Sequence, residues 1–226
     1  TKRFAERKPI LSLSEERSPV VFELDSEERF FNYLILSGRI KFKKRVPIFV
    51  KLDILREAQV LKEKFFSLRE VSYLSGSYKV GEWVPIFIRE EVSGKNVKYQ
   101  LKVGWGDSAL VVLEKKIYPK YLKVAMSGLK VLKDKKCANK GCKYRAFLRL
   151  SLTNTAGFTL SNPVISVKLV SSKGEEVVQE SFFLNTQFSP YETKGAELEL
   201  EDGDMLLAVE SSLSEAEVLS VQAEEK

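Results

Sequence analysis

The stretch KNVKYQLKVGW, residues 95–105, decides the fold class, because apolar and polar side chains alternate along it. The odd positions from 97 to 103 hold Val, Tyr, Leu and Val, and the even positions hold Lys or Gln. Residues 39–45, RIKFKKR, repeat the alternation, with Ile40 and Phe42 set against lysines. Since side chains on a strand point to opposite faces in turn, both stretches predict antiparallel strands with one buried and one wet face.

Short β-branched and aromatic runs, each closed by Gly, Pro, Asn, Asp or Ser, continue this pattern along the chain. They predict strands at 19–24, 30–36, 39–43, 46–54, 69–74, 76–80, 83–90, 97–103, 108–114, 121–126, 144–153, 163–170, 175–184, 194–200, 204–211 and 216–222. The sequence therefore predicts a mostly β protein made of two antiparallel β-sandwich domains.

The domain boundary is expected near Gly128, because residues 127–143 have the glycine and charge density of a connection. This gives an N-terminal β-sandwich domain of residues 18–128 and a C-terminal one of residues 129–226. Residues 1–17 are charged and interrupted by proline, and are predicted to form a tail or a loose first strand.

One short helix is expected in the first domain, at residues 55–70, LREAQVLKEKFFSLRE. Good helix formers dominate this segment, and Leu55, Leu61 and Leu68 fit one helical face. Val60 does not fit that face, so a long hairpin is the alternative.

Composition narrows the function classes. The chain has 226 residues and no histidine, which removes the commonest general base and the commonest metal ligand. Nucleotide and nucleophile motifs are absent as well, so we expect no enzyme activity and no cofactor. The predominance of Lys and Glu, with two Cys and two Met, is compatible with a thermophile source.

Charge is distributed unevenly along the chain. Residues 1–149 hold 33 Lys and Arg against 17 Asp and Glu, and residues 150–226 hold 4 against 14. The resulting net charges are +16 and −10. They favour either a basic surface for nucleic acid, acidic lipid or an acidic partner, or attraction between the domains or between copies.

Two cysteines, Cys137 and Cys142, are separated by an Asn-Lys-Gly turn that allows their thiols to approach. A disulfide is the favoured interpretation. Free thiols are the first alternative, and a metal site, which would need further ligands, is the second.

Two basic clusters are candidates for binding nucleic acid or an acidic partner, because basic grooves with stacking aromatic rings hold single strands. The competing interpretation is that alternating lysines only solvate an exposed face. The clusters comprise Lys41, Lys43, Lys44, Arg45, Lys133, Lys135, Lys136, Lys140, Lys143 and Arg145.

Trp83 and Trp105 are candidates for an aromatic platform that docks a sugar or a partner, and an ordinary core or corner role is the alternative. The adjacent carboxylates Glu90 and Glu91 are a candidate acid–base pair, with solvation as the default explanation. We expect no metal site.

The C-terminal half resembles the small immunoglobulin-like modules of extracytoplasmic bacterial and archaeal proteins. The likeness rests on a strand that ends at Thr153-Asn154, a strand that closes on residues 172–174, and residues 190–193, PYET, opening a later one. It covers roughly 80 residues and implies an interaction or spacer module without catalytic residues.

Together these features favour a non-catalytic structural or protein-binding component of an envelope-associated, extracellular or larger assembly. A nucleic-acid-binding or virion-type protein and a carbohydrate-binding module are the alternatives. An extracytoplasmic location is favoured over a cytoplasmic one, and no run of apolar residues approaches the length of a membrane span.

Overall fold

The computed structural model describes residues 18–57, 59–73, 78–94, 97–133, 144–170, 176–200 and 213–224. The chain divides into two compact units, residues 1–113 and residues 114–226. Antiparallel strands dominate both units, which confirms the mostly β class predicted from side-chain alternation. No helix in the described ranges is both long enough and apolar enough to cross a bilayer.

The first unit contains two three-stranded antiparallel sheets. The front sheet has the order β1-β2-β5 and the back sheet the order β4-β3-β6. Its strands are β1 (Val20–Phe30), β2 (Tyr33–Phe42), β3 (Ile48–Arg56), β4 (Gln59–Ser67), β5 (Trp83–Glu91) and β6 (Lys98–Trp105). Its helices are α1 (Leu68–Val71) and α2 (Asp107–Val112).

The core of this unit lies between its two sheets. β5 shows how the sequence builds it, because buried and exposed residues alternate along all nine positions of that strand. Val84, Ile86 and Ile88 join the buried apolar cluster, which also takes in the inward residues of β2 and β3. The inward face of β6 carries the odd-numbered apolar residues, as the alternation of residues 95–105 predicts.

The helix predicted at residues 55–70 is wrong in position, because this segment forms the β3–β4 hairpin and ends at α1. Pairing runs from Phe49 with Ser67 to Arg56 with Gln59. The turn has no glycine or proline, and Glu57 instead takes a positive φ of 50°. Strong helix propensity without a turn signal favoured the wrong element, and pairing with β3 overrides that propensity.

The strand predicted at 108–114 is also wrong, because residues 107–112 form α2 and a π-helical turn follows at Leu113–Ile117. Gly106, at φ 74°, ends β6 and turns the chain into the helix. A run of apolar residues this short has the same appearance in a buried helix and in a strand.

The second unit is also built from two sheets. One has the order β12-β8-β7, and in the other β9 is paired with β13 along one edge and with β10 and then β11 along the opposite edge. Its strands are β7 (Leu122–Lys133), β8 (Tyr144–Asn154), β9 (Thr159–Val170), β10 (Glu176–Phe183), β11 (Gln187–Phe188), β12 (Thr193–Leu200) and β13 (Leu213–Glu224).

The boundary predicted near Gly128 differs from the one in the structure, because Gly128 lies inside β7, which pairs with β8. The register of β7 shifts between Met126 and Gly128, so this glycine lies beside a β-bulge, a common position for glycine within a strand. The unit boundary falls instead between Leu113 and Glu114, in helical structure.

This boundary also changes the interpretation of charge. The first unit holds 21 basic and 15 acidic residues, and the second holds 16 of each. Within the second unit, residues 114–149 carry a net charge of +10 and residues 150–226 a net charge of −10. The opposite charges therefore meet inside one unit, as where Arg149 of β8 pairs with Glu197 of β12 at 2.9 Å.

Candidate docking surface

The outer face of the front sheet carries a row of aromatic side chains. Trp83 and Phe87 point outward from β5, and each keeps 37% of its surface exposed. Tyr73, which follows α1, is 82% exposed, and its ring centroid lies 6.4 Å from that of Phe87. Tyr33 of β2 lies on the same face, opposite Glu91. We call these four residues the aromatic face.

Cations from the neighbouring strands lie over this face. The guanidinium of Arg39 is 5.0 Å from the Trp83 ring centroid, and the Lys41 ammonium is 5.8 Å from it. Arg89 lies 4.2 Å from the centroid of Tyr33. Such pairs follow from register, because Lys41 is directly opposite Trp83. They fix exposed rings in place. Arg39 is also paired with Glu23 at 2.7 Å and lies 3.6 Å from Asp25, so the positive charge beside this apolar surface comes mainly from Lys41 and Arg89.

The basic cluster predicted at residues 41–45 is brought next to Trp83. Lys41 ends on the aromatic face, and Lys43, Lys44 and Arg45 are exposed in the turn that follows β2. The turn is held at its start by a hydrogen bond from the Lys43 backbone N–H to the Pro19 carbonyl, at 2.8 Å. The structure therefore joins one predicted basic cluster with one of the predicted tryptophans.

The segment that leads into β5 is anchored to the core. Tyr78 stacks on the buried ring of Phe42 with centroids 3.8 Å apart, and its hydroxyl donates to the Val46 carbonyl at 3.3 Å. The Gly81 backbone N–H donates to the Phe42 carbonyl at 2.8 Å. These contacts fix the start of β5, and so they fix the position of Trp83 relative to the basic turn.

The other end of the face is the β1–β2 hairpin tip, where Phe30 and Phe31 are 62% and 91% exposed. Their rings meet edge to face with centroids 4.6 Å apart. Phe31 has a φ of 55°, a left-handed conformation that is costly for an aromatic residue. Phe30 is opposite Tyr33 in register, so the tip continues the aromatic face.

Side chains of β1 tie this tip to β6 of the back sheet. The hydroxyl of Tyr99 donates to Glu27 at 3.0 Å, and Arg29 donates to the Val97 carbonyl. Burial is the main cause that raises the pKa of the Tyr99 phenol far above its usual value, and the hydrogen bond to Glu27 is the second. These two hydrogen bonds therefore hold the hairpin that carries Phe30 and Phe31 against the back sheet.

The outer face of the back sheet is a charge network. The buried carboxylate of Asp53 lies 3.0 Å from the Lys51 ammonium, which also donates to Glu63 at 2.5 Å. The hydrogen bond to Glu63, helped by Asp53, raises the pKa of Lys51. Lys51 is shared by the two carboxylates, and Lys102 of β6 lies 3.9 Å from Asp53, so this network ties β3 to both of its neighbouring strands.

The candidate acid–base pair of Glu90 and Glu91 is divided between two faces of β5. Glu90 points inward, is 7% exposed, and pairs with Lys62 and, at 3.7 Å, with Lys64. Glu91 points outward and accepts a hydrogen bond from Asn32 at 2.5 Å. Two carboxylates on opposite faces cannot share one substrate, so the pair has no common site.

Trp83 and Trp105 do not form the predicted platform, because they lie on different sheets. Trp83 faces solvent on β5, whereas Trp105 of β6 packs against the core. Trp105 has the same phase as Leu101 and Val103 along the strand, which points its indole inward.

The remaining predicted sites fall in the second unit. Lys133 and Arg145 lie in the paired ends of β7 and β8, but their side chains are outside the described residues. Also outside the described residues are Lys135, Lys136, Cys137, Lys140, Cys142 and Lys143, so the disulfide stays a prediction. In the part of the chain that the structure describes, no group of three or more Cys, Asp and Glu residues could hold a metal ion.

The alternation of side chains along β5 indicates the aromatic face, although no single residue of the strand does so. Residues 83–91, WVPIFIREE, alternate between outward Trp83, Phe87 and Arg89 and inward aliphatic residues. The alternation identifies the outward side chains of β5, but their partners on β2 depend on strand register.

Comparison with known families and with curated proteins gives no match. Among solved structures, the chain is similar to a β-glucuronidase from glycoside hydrolase family 2, with 10% identity, a TM-score of 0.28, and coverage of 85% of this chain and 23% of that one. It is also similar to red sea bream transglutaminase, with 8% identity, a TM-score of 0.25, and coverage of 91% and 31%. The chain thus spans a quarter to a third of these proteins, and at such TM-scores the likeness carries no information about activity.

Proposed function

We propose that the protein is a non-catalytic component that binds another protein through the aromatic face of its first unit. The observation that carries the proposal is the row of exposed aromatic rings, each close to a cation or to another ring, on and beside the edge strand β5. Trp, Tyr and Arg are the side chains that dominate binding energy in protein interfaces.

The position of β5 supports this proposal. Within the described residues, β5 pairs with β2 on one side only, so its other edge is available to add a strand from a partner. Pro85 interrupts the hydrogen-bonding potential of that edge, which limits indiscriminate pairing. Side chains on the aromatic face would then give specificity to a contact that backbone hydrogen bonds extend.

The expected partner surface is acidic and contains apolar pockets. Arg39, Lys41 and Arg89 lie on the aromatic face, and the basic turn at residues 43–45 borders it. We also propose that the second unit is an immunoglobulin-like spacer or interaction module, in keeping with its two-sheet sandwich. An extracytoplasmic location belongs to the same proposal.

The test compares two exposed phenylalanines on edge strands, Phe87 of β5 and Phe183 of β10, which is 65% exposed. A photoreactive phenylalanine analogue is placed at either position in the source cells, and covalent adducts are compared. We expect one defined adduct at position 87 that Trp83→Ala abolishes. Equal adduct patterns at both positions, or adducts that survive Trp83→Ala, would contradict the proposal.

A second candidate function is binding of single-stranded nucleic acid, which the contact of Arg39 and Lys41 with Trp83 specifically favours. About four phosphate contacts from residues 41–45 would give a log–log salt slope of about −3, or a loss of affinity of about 50-fold between 50 and 200 mM salt. Quenching of Trp83 by oligothymidylate measures this. Salt-independent quenching, or quenching that persists in Trp83→Phe, rules this function out.

A further inference from the structure

An open cleft of about 680 Å³ lies in the second unit, where β9 exchanges one partner strand for another. β10 pairs with β9 as far as Val164, and β11 takes over at Ser161. Between these points the Asn162 backbone N–H donates to the Thr186 carbonyl at 2.8 Å. The cleft is therefore formed by the sheet itself and belongs to neither of the functions proposed above.

Three backbone irregularities meet at this cleft. Asn162 has a φ of 53°, within a strand. Opposite it, β9 has one residue more than β13 between the pairs Ser161–Gln222 and Val164–Ser220, which is a β-bulge. Glu114, which also lines the cleft, lies in the π-helical turn Leu113–Ile117. Bulges, π-helical turns and left-handed residues are each costly or rare, and each is concentrated at functional sites.

The lining is rich in groups that both donate and accept hydrogen bonds. Four side-chain amides line the cleft, and the amide of Asn162 donates to Gln222 at 3.1 Å, which orients both groups. The amides are those of Asn162, Asn185, Gln187 and Gln222.

This chemistry selects among ligand classes. Among the residues that the structure describes, no Lys or Arg lines the cleft, and Glu114 and Glu224 do, so these carboxylates would repel an anion. An ammonium has donors alone and a metal ion engages only oxygen atoms, so either would leave the amide N–H groups unmatched, while an apolar ligand would leave all of these groups unmatched. Hydroxyl groups donate and accept at once, as the lining does.

We propose that this cleft binds a neutral polyhydroxyl ligand, a sugar unit of a glycan, through the amides of Asn162 and Gln222. Glu114 and Glu224 accept hydrogen bonds from its hydroxyl groups. The site is distinct from the tryptophan platform considered for carbohydrate on sequence grounds, because all of its lining residues belong to the second unit.

The test is an NMR titration of the full ¹⁵N-labelled chain with cellobiose, maltose, chitobiose and mannobiose, each up to about 20 mM, since an open site is expected to bind in the millimolar range. We expect at least one sugar to shift the side-chain amide signals of Asn162 and Gln222 saturably. Gln222→Ala should then weaken the affinity about five- to tenfold, the loss expected for one hydrogen-bonding amide.

The matched control is Gln179→Ala, which removes an exposed glutamine on β10, outside the cleft, and should leave the affinity unchanged. Gln187→Ala replaces the test variant if Gln222→Ala fails to give a dispersed spectrum. The proposal is overturned if none of the four sugars shifts the cleft signals, if the glutamine variants in the cleft bind as well as wild type, or if spermidine shifts these signals and the sugars do not.

Discussion

Replacing Asn154 should destabilise the second unit more than any other single polar substitution discussed here. Asn154 ends β8 and is fully buried. Its side-chain amide N–H₂ donates to the carbonyls of Phe158 at 2.8 Å, Ser189 at 3.0 Å and Phe188 at 3.3 Å. Its side-chain oxygen accepts from the Ala156 backbone N–H at 2.8 Å. One side chain thus satisfies the backbone of two separate loops.

Asn154→Ala removes the partner of one buried backbone N–H and of carbonyls that are buried or partly buried, and at about 1 kcal/mol for each of the three shorter bonds the loss is about 3 kcal/mol. For a unit of this size that lowers Tm by about 12–15 °C. Thr153→Ala is the control, because its hydroxyl bond to Thr193 is exposed and should be worth under about 1 kcal/mol.

The assay follows far-UV circular dichroism and tryptophan fluorescence in parallel. Both tryptophans, Trp83 and Trp105, lie in the first unit, so fluorescence reports on that unit and circular dichroism on both. We expect the loss in the part of the dichroism transition that fluorescence does not follow. A Tm within about 3 °C of wild type, a shift below 1 kcal/mol, would refute the argument.

Asn154→Asp adds a test by pH. A carboxylate cannot donate to the three carbonyls, so burial should raise the folded-state pKa of the new carboxyl above its unfolded value of about 4. The variant is then destabilised increasingly as pH rises above that unfolded value, and it recovers as pH falls towards 4. Asn154→Ala should lack this dependence, and parallel pH profiles for the two variants would contradict the assignment.

Three further outcomes are expected. Lys51→Met leaves the buried Asp53 without its 3.0 Å partner and should lower the free energy of unfolding of the first unit by about 2 kcal/mol. Urea unfolding followed by tryptophan fluorescence measures this, and a change under about 0.5 kcal/mol would contradict it. The hydrogen bond from the Ser189 backbone N–H lowers the pKa of Glu192, so its carboxylate stabilises the fold above the usual pKa and loses this effect as pH falls. Glu192→Gln should therefore reduce the decrease of Tm between about pH 5 and 3, and a decrease equal to that of wild type would disprove this. Gly38→Ala places a Cβ 2.5 Å from a backbone oxygen of β1 and should cost about 2 kcal/mol in the same urea assay, and a cost under about 0.5 kcal/mol would contradict this.

The fold class was predictable because alternation is a local property. Residues 95–105 encode in one strand which side chains are buried, and the structure places them there. The hairpin at residues 48–67 confirms what was only the alternative prediction for residues 55–70, because its turn residue Glu57 carries no turn signal and its partner strand is fixed by register. Conversely, Asn162-Pro163 has the composition of a turn, and yet it is a bulge within β9.

The candidate sites were less predictable, because each depends on residues that are far apart in sequence. Lys41 and Trp83 were singled out separately, but only the register of β2 against β5 makes them neighbours. Arg39 was overlooked, since an isolated arginine in a strand has no distinguishing pattern. The polar cleft draws on residues from 114 to 224, and no local window of sequence contains it.

The two edge strands β4 and β5 of the first unit differ in the side chains that they turn inward. β4, an edge of the back sheet, turns Lys62 and Lys64 inward to meet Glu90. An inward charge prevents a second chain from extending that sheet, because pairing there would restrict charges that need solvent. β5, an edge of the front sheet, carries apolar residues at its inward positions up to Ile88 and rings on its outer face. The inward charges protect one edge of the first unit against association and leave the other able to associate, as our proposal that β5 docks one partner requires.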